Sequence, residues 1–137
     1  MRRADVSLSR RVMIALFAYA LASLFHHVHN AVFLPAYPSM PEGLSVFGVY
    51  AAWLVVTSIG VLGYMLWRAG YRRPALLTLA VYGACGLDGL AHYVVAEFTA
   101  HTFLMHASIL AEAILGIALI VACVQAALRL GSHRARV

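Results

Sequence analysis

The sequence predicts an all-α protein, an integral membrane four-helix bundle with four transmembrane helices and both termini cytoplasmic. Three observations support this fold class: an apolar composition, four apolar runs of membrane-spanning length, and arginines confined to one side of those runs. Of the 137 residues, 64% are hydrophobic and only 11% are charged. A soluble domain of this length could not bury so many apolar side chains, because a small fold exposes a large fraction of its surface. The composition therefore indicates a protein embedded in lipid.

Four segments match the roughly 20 apolar residues that a helix needs to cross a bilayer core. These spans are residues 12–34, 46–67, 74–96 and 101–128. The first connection contains three prolines, which cannot continue a helix, and the second contains a glycine followed by a proline. The third connection is very short and predicts a tight antiparallel helix pair. We therefore expect one four-span domain over residues 1–137.

The arginines determine the predicted orientation. They precede the first span, separate the second from the third, and follow the fourth: Arg2, Arg3, Arg10, Arg11, Arg68, Arg72, Arg73, Arg129, Arg134 and Arg136. With four spans, every arginine lies on one side, which the positive-inside rule makes cytoplasmic. We expect a multi-pass protein of a bacterial-type cytoplasmic (inner) membrane. A signal peptide cleaved after Ala22 is the alternative, but the apolar run continues past that residue.

Composition also argues against two other classes. The basic residues flank apolar segments instead of forming a polar domain with interleaved aromatic residues, so nucleic-acid binding is not expected. Cys85 and Cys123 both lie inside apolar runs, so they predict small buried side chains and not a disulfide framework.

Six of the seven histidines fall in the outer half of the predicted bundle. With a rise of about 1.5 Å per residue, His26 and Asp88 lie roughly 12 Å below the outer boundary. His29, His92 and His106 lie roughly 6 to 8 Å below it. Three helices therefore bring ionisable or metal-ligating groups to one layer, whereas the inner half of the bundle has none.

Helical spacing indicates which of these groups face the same way. His26, His29 and Asn30 form an i, i+3, i+4 stripe on the first span, and Asp88 and His92 form an i, i+4 pair on the third. His27 points about 100° away from His26 and is expected to face elsewhere.

The fourth span has two polar faces, and the sequence does not show which one looks inward. One face carries His106 with Thr102 and Ile109. The other carries four residues at i, i+4, i+7 and i+11, namely His101, Met105, Ser108 and Glu112.

A carboxylate in this layer needs a compensating partner, because a charged side chain in hydrocarbon costs a few kcal/mol. The predicted outer side contains no arginine, so histidine, a proton or a metal ion must accompany Asp88 and Glu112. Imidazoles with one or two carboxylates suit copper, zinc or iron, and helical bundles build such centres in their cores. The predicted metal ligands are His26, His29, Asp88, His92 and His106. Asn30, His101 and Glu112 are assigned to supporting or proton-relay roles.

The spacing of Asp88, His92 and His106 resembles the copper site in the C subunit of membrane-bound methane and ammonia monooxygenases. This resemblance covers three residues, and no activity is carried over from it. The predicted site would support oxidation, hydrolysis or metal handling, with a lipophilic substrate consistent with its depth in the outer leaflet.

Three alternatives to a transition-metal site stay open. Two histidines would serve as axial ligands of haem b in an electron-transfer subunit. A metal-free transporter or proton-relay module would also place ionisable groups inside a membrane. The last is a structural subunit whose helices are held by histidine–carboxylate hydrogen bonds. Besides the lipid bilayer, a second copy of the chain or another membrane subunit would be the partner.

Overall fold

The computed structural model describes residues 8–134, with residues 133 and 134 described by their backbone alone. Its long helices are α1 (Arg10–Val32), α2 (Val46–Arg68), α3 (Arg72–Cys85) and α5 (Phe103–Arg134), with a one-turn helix α4 (His92–Val95) between the last two. Short 3-10 helices occupy Leu34–Ala36, Asp88–Ala91 and Phe98–Ala100. Four helical stretches are long and apolar enough to cross a membrane: Arg10–Val32, Val46–Arg68, Arg72–Val95 and Phe103–Ser132. The prediction of an all-helical chain with four such stretches is confirmed.

Serine side chains define where the first two helices begin. The Ser9 hydroxyl accepts a hydrogen bond from the Val12 amide at 3.4 Å, and the Ser45 hydroxyl accepts one from the Gly48 amide at 3.1 Å. Each satisfies an amide that has no partner within its own helix. After α2 the chain turns through Gly70 at a φ of +90°, a conformation that glycine adopts without steric cost.

The long helices pack around α3 and α5, which contact each other closely. α3 lies against α2 and α5, and α1 lies against α5 and α2. At the crossing of α3 and α5, a Cβ added to Gly83 would sit 2.7 Å from the carbonyl oxygen of Gly116. Only glycine therefore lets the two backbones approach this closely.

The bundle has two chemically different ends. The histidine end is where α1 ends and where α2 and α5 begin; the arginine end is where α1 begins, α2 meets α3, and α5 ends. The main apolar core lies towards the arginine end and includes the fully buried Val12, Tyr19, Leu79, Tyr82 and Leu119.

The third predicted span is not one continuous α-helix, which is a correction to the sequence analysis. α3 ends at Cys85, and the chain continues through a turn and the 3-10 helix Asp88–Ala91 before α4. Glycine has a low helix propensity. A Cβ added to Gly86 would also lie 2.6 Å from the Tyr19 ring and 3.0 Å from the Glu112 carbonyl oxygen. Asp88 begins the 3-10 helix and His92 begins α4, so the two residues do not lie on one continuous α-helix as expected. Asp88 is exposed and His92 is half-buried.

Candidate functional site

A cavity of about 480 Å³ opens at the histidine end, between α1, α2, α5 and the segment that follows α3. We call it the site pocket. Its polar lining consists of His26, His27, Asn30, Asp88, His92 and Glu112. Its apolar lining comes mainly from α2 and the residues before it, including Met40, Leu44, Val49, Ala52 and Val56. The pocket thus combines an ionisable wall with an apolar one.

Glu112 is the most deeply buried acid of this wall, with 2% of its surface exposed. Its Oε2 lies 3.7 Å from Nε2 of His26, and its Oε1 lies 3.8 Å from Nδ1 of His27. Both separations exceed the length of a hydrogen bond. Among the described residues that line the pocket, none is an arginine. The carboxylate therefore faces the cavity beside two imidazoles, without a permanent cation in its lining.

The hydrogen bonds of His26 define its tautomer. The Ser108 hydroxyl donates its proton to the carbonyl oxygen of Met105 at 2.9 Å, so its oxygen is left to accept. Nδ1–H of His26 donates to that oxygen at 3.2 Å, and Nε2 accepts from Nδ2 of Asn30 at 3.0 Å. His26 is thus a neutral imidazole with both nitrogens engaged.

Asn30 has an unused acceptor at the same wall. Its Oδ1 is buried and makes no hydrogen bond to any described residue, while its Nδ2 is held by His26. A buried carbonyl oxygen without a donor costs free energy of order 1–3 kcal/mol. A ligand with a donor group would satisfy this oxygen.

His27 lies on the pocket wall, although helical spacing placed it elsewhere. Its Nδ1–H donates to the carbonyl oxygen of Ser23 at 2.9 Å, and the same nitrogen is the one near Glu112. The two carboxylate oxygens of Glu112 thus each lie near one of two consecutive histidines. No feature of the sequence signals this arrangement.

The loop after α1 packs against His92 and forms a hydrogen bond with His29. The Tyr37 ring lies 5.1 Å from the His92 ring, which in turn lies 5.6 Å from the His26 ring. The Tyr37 hydroxyl and Nδ1 of His29 form a hydrogen bond of 2.7 Å, and burial raises the pKa of the Tyr37 phenol. His29 is therefore directed at the loop and does not line the site pocket.

His101 and His106 belong to an aromatic cluster near the start of α5, which meets the pocket wall where the His101 ring lies 6.2 Å from the His92 ring. Nδ1 of His106 is hydrogen-bonded to the Tyr93 hydroxyl at 2.8 Å, and its ring stacks on Phe98 at 4.0 Å. Nδ1–H of His101 donates to the carbonyl oxygen of Glu97 at 3.0 Å. Neither histidine lines the site pocket.

The structure also shows which face of the fourth span looks inward. The residues at i, i+4, i+7 and i+11 are all buried: His101, Met105, Ser108 and Glu112. His106 is half-buried and Thr102 is exposed. Glu112, assigned a supporting role from the sequence, is consequently central to the pocket.

The structure thus divides the sequence-predicted residues into two groups. His26, Asp88, His92, Asn30 and Glu112 line the site pocket, joined by His27 and Cys85; His29, His101 and His106 lie outside it. Within the part of the chain whose side chains are described, no three His, Cys, Asp or Glu residues are grouped so that they would hold a metal ion.

Comparisons with protein-family profiles, curated proteins and solved structures found no match to this chain.

Proposed function

We propose that this chain is a multi-pass protein of a bacterial-type cytoplasmic membrane, with both termini cytoplasmic and the site pocket in the outer half of the bilayer. The outward surface of the helices supports insertion, because large apolar side chains such as Phe17, Leu21, Leu54, Leu77 and Ile114 are more than half exposed. The charge pattern supports the orientation, because the arginines flank the spans on one side and six of the seven histidines fall towards the other.

Within this membrane protein, we infer that the site pocket binds a small lipophilic molecule that carries a protonated nitrogen. The observation that carries this proposal is the buried Glu112 carboxylate, which faces the cavity with neutral His26 beside it. A carboxylate at this depth requires a proton or a cation. An ammonium group supplies the charge and also offers N–H donors to the unsatisfied Oδ1 of Asn30.

The size and the second wall of the pocket favour an organic cation over a bare ion. A volume of about 480 Å³ lies within the range typical of small-molecule sites, about 300–1,000 Å³. Val49, Ala52 and Val56 of α2 provide an apolar surface in the same cavity as Glu112. An amphipathic amine fits both walls, with its nitrogen near Glu112 and its hydrocarbon against α2.

Two probes that share a carbon skeleton test this function. Hexylamine and 1-hexanol are titrated by calorimetry into the protein held in lipid nanodiscs. We expect the amine to bind the natural chain and to bind Glu112→Gln roughly tenfold more weakly or worse, a loss of about 1.4 kcal/mol. Glu97→Gln is the matched control, because this acid is exposed and does not line the pocket. Equal binding of the alcohol, or amine binding unaffected by Glu112→Gln, would contradict the proposal.

A transition-metal ion is the second candidate, and one distance favours it. Two ligands at about 2.0–2.2 Å from a tetrahedral metal lie roughly 3.4 Å apart, close to the 3.7 Å between Nε2 of His26 and Oε2 of Glu112. Binding would require Nδ2 of Asn30 to leave His26. His92 and Asp88 would then complete the ligand set.

Elemental analysis of the purified protein tests this candidate. Copper, zinc or iron in stoichiometric amount, lost in His92→Ala, would support it. A visible spectrum of the same preparation tests haem b, because bound haem gives a Soret band. Metal content that does not change in His92→Ala would count against a metal at this site.

A further inference from the structure

Two carboxylates line the site pocket, and the proposed function uses only one of them. Glu112 is buried on α5, whereas Asp88 is exposed and begins the 3-10 helix that follows α3. The backbone next to Asp88 lies close to the other acid, because a Cβ added to Gly89 would sit 3.5 Å from Oε2 of Glu112. Packing of α5 against this segment therefore brings two acids that are distant in sequence into one cavity.

The two acids lie close enough to interact electrostatically, and the pocket lining supplies no permanent cation for either of them. Asp88 makes no ion pair with any described residue. It also lies within the stretch Arg72–Val95, which is long and apolar enough to cross a membrane. A carboxylate inside such a stretch requires a proton or a cation. The cavity thus presents two negative groups where one ammonium group would compensate a single acid.

Asn30 independently indicates a ligand with N–H groups. Its side chain lines the pocket with 6% of the residue exposed, and its Oδ1 accepts no hydrogen bond from any described residue. The amide nitrogen of the same side chain is hydrogen-bonded to Nε2 of His26 at 3.0 Å, so the carbonyl oxygen is the free atom. Since Nε2 of His26 also lies 3.7 Å from Oε2 of Glu112, an ammonium group at Glu112 is within reach of this oxygen.

The apolar part of the lining suits a hydrocarbon that joins two charged ends. Val49, Ala52 and Val56 of α2 line the same cavity as both acids, and its volume of about 480 Å³ accommodates more than a single ammonium group. A methylene chain would pack against these side chains without leaving a polar group unsatisfied. Two bare inorganic cations would make no use of this surface.

We propose that the site pocket selects diamines, which carry an ammonium group at each end of a short hydrocarbon chain. One ammonium group binds at Glu112 and Asn30, the other binds at Asp88, and the methylenes lie against α2. This inference rests on the amine binding proposed above and specifies its substrate class. A single dication then neutralises both acids.

Hexylamine and 1,6-diaminohexane share a carbon skeleton and test this selectivity. Both are titrated by calorimetry into the protein in lipid nanodiscs at one pH and ionic strength. Two equivalent ends give the diamine an advantage of only about twofold on statistical grounds. We expect it to bind the natural chain about fivefold or more tightly than hexylamine, because the second ammonium group gains an ion pair with a partly solvated carboxylate.

Substitution of each acid separates the two ends of the ligand. Asp88→Asn is expected to reduce the preference for the diamine to about twofold while leaving hexylamine binding unchanged. Glu112→Gln should weaken the binding of both ligands. Glu97→Gln is the matched control, because it removes an exposed carboxylate at the histidine end from outside the pocket lining, and it should leave the preference intact. Far-UV circular dichroism of each variant shows that the helices are retained.

Three outcomes would overturn the selectivity for diamines. The first is a preference of twofold or less in the natural chain, and the second is an equal loss in Glu97→Gln, which would indicate general surface charge. The third is displacement of the diamine by magnesium at constant ionic strength, which would assign the two acids to a divalent metal ion. Hexylamine binding that still depends on Glu112 would leave the proposed function standing in each case. If neither ligand binds, the proposed function fails, and this inference fails with it.

Discussion

Oε2 of Glu112 on α5 lies 3.7 Å from Nε2 of His26 on α1, and Gly89 is the residue that leaves room beside this pair. A Cβ added to Gly89 would sit 3.5 Å from the glutamate oxygen and 3.7 Å from the histidine nitrogen. The carboxylate, the imidazole and the open space next to them form the centre of the proposed binding site.

Replacing Glu112 by glutamine separates a binding role from a structural one. If Glu112 were half of a stabilising buried ion pair, its removal would cost about 3–5 kcal/mol. We expect instead that Glu112→Gln leaves the thermal stability of the ligand-free protein unchanged or raises it, because a neutral amide of the same shape needs no cation. Tryptophan fluorescence during heating in detergent measures this. A large drop in midpoint would assign Glu112 to folding.

Gly89→Ala tests whether the space beside Glu112 and His26 is used. The new methyl group would make ordinary van der Waals contacts, so we expect the protein to fold with nearly unchanged stability. It would also fill the space where a ligand atom meets the pair, and hexylamine binding should weaken several-fold. Gly131→Ala is the control, because nothing lies within 4 Å of its added Cβ. Binding that persists at full strength in Gly89→Ala would place the ligand elsewhere.

Ser108→Ala removes the acceptor for Nδ1–H of His26. Ser108 is fully buried, so the variant leaves a buried donor without a partner and should destabilise the protein by about 1–3 kcal/mol. Ser58→Ala is the matched control. Ser58 is exposed on α2, and its hydroxyl donates to the Val55 carbonyl oxygen of its own helix. Similar unfolding midpoints for both variants would show that the hydrogen bond between α1 and α5 contributes little.

Gly83→Ala tests the close approach of α3 and α5. The added Cβ would sit 2.7 Å from the Gly116 carbonyl oxygen, and a backbone atom cannot move aside without shifting its helix. We expect a loss of about 1–3 kcal/mol, typical of overpacking. Gly131→Ala again serves as reference, since alanine favours helices more than glycine and should be neutral or slightly stabilising. Equal stability of the two variants would mean that the helices do not pack as described.

The proposed orientation is tested by labelling introduced cysteines in intact cells. The background carries Cys85→Ala and Cys123→Ala. Glu42→Cys lies in the connection between α1 and α2, and Tyr71→Cys lies between α2 and α3; both positions are exposed. A membrane-impermeant maleimide should label the first in intact cells and the second only after lysis. The reverse pattern would place the site pocket on the cytoplasmic side.

Sequence alone determined the helical architecture of this protein. Four apolar runs and their turn residues predicted four long helices, because hydropathy and helix breaking are local properties that a single chain segment displays. The prolines of the first connection and the glycine at position 70 marked turns for the same local reason. The concentration of histidines at one end also followed from their positions along the spans.

Only the tertiary structure decided which of these histidines share a cavity. Helical spacing grouped His26 with His29, but the hydroxyl of Tyr37, from the following loop, draws His29 out of the site. Helical spacing also excluded His27 from the site. A single helix does not reveal that a glutamate of α5 lies close to two neighbouring histidine side chains. The central role of Glu112 and the break in helix after Cys85 depend on how α3 and α5 approach each other. Contacts between helices set that approach, and no one segment of the sequence records them.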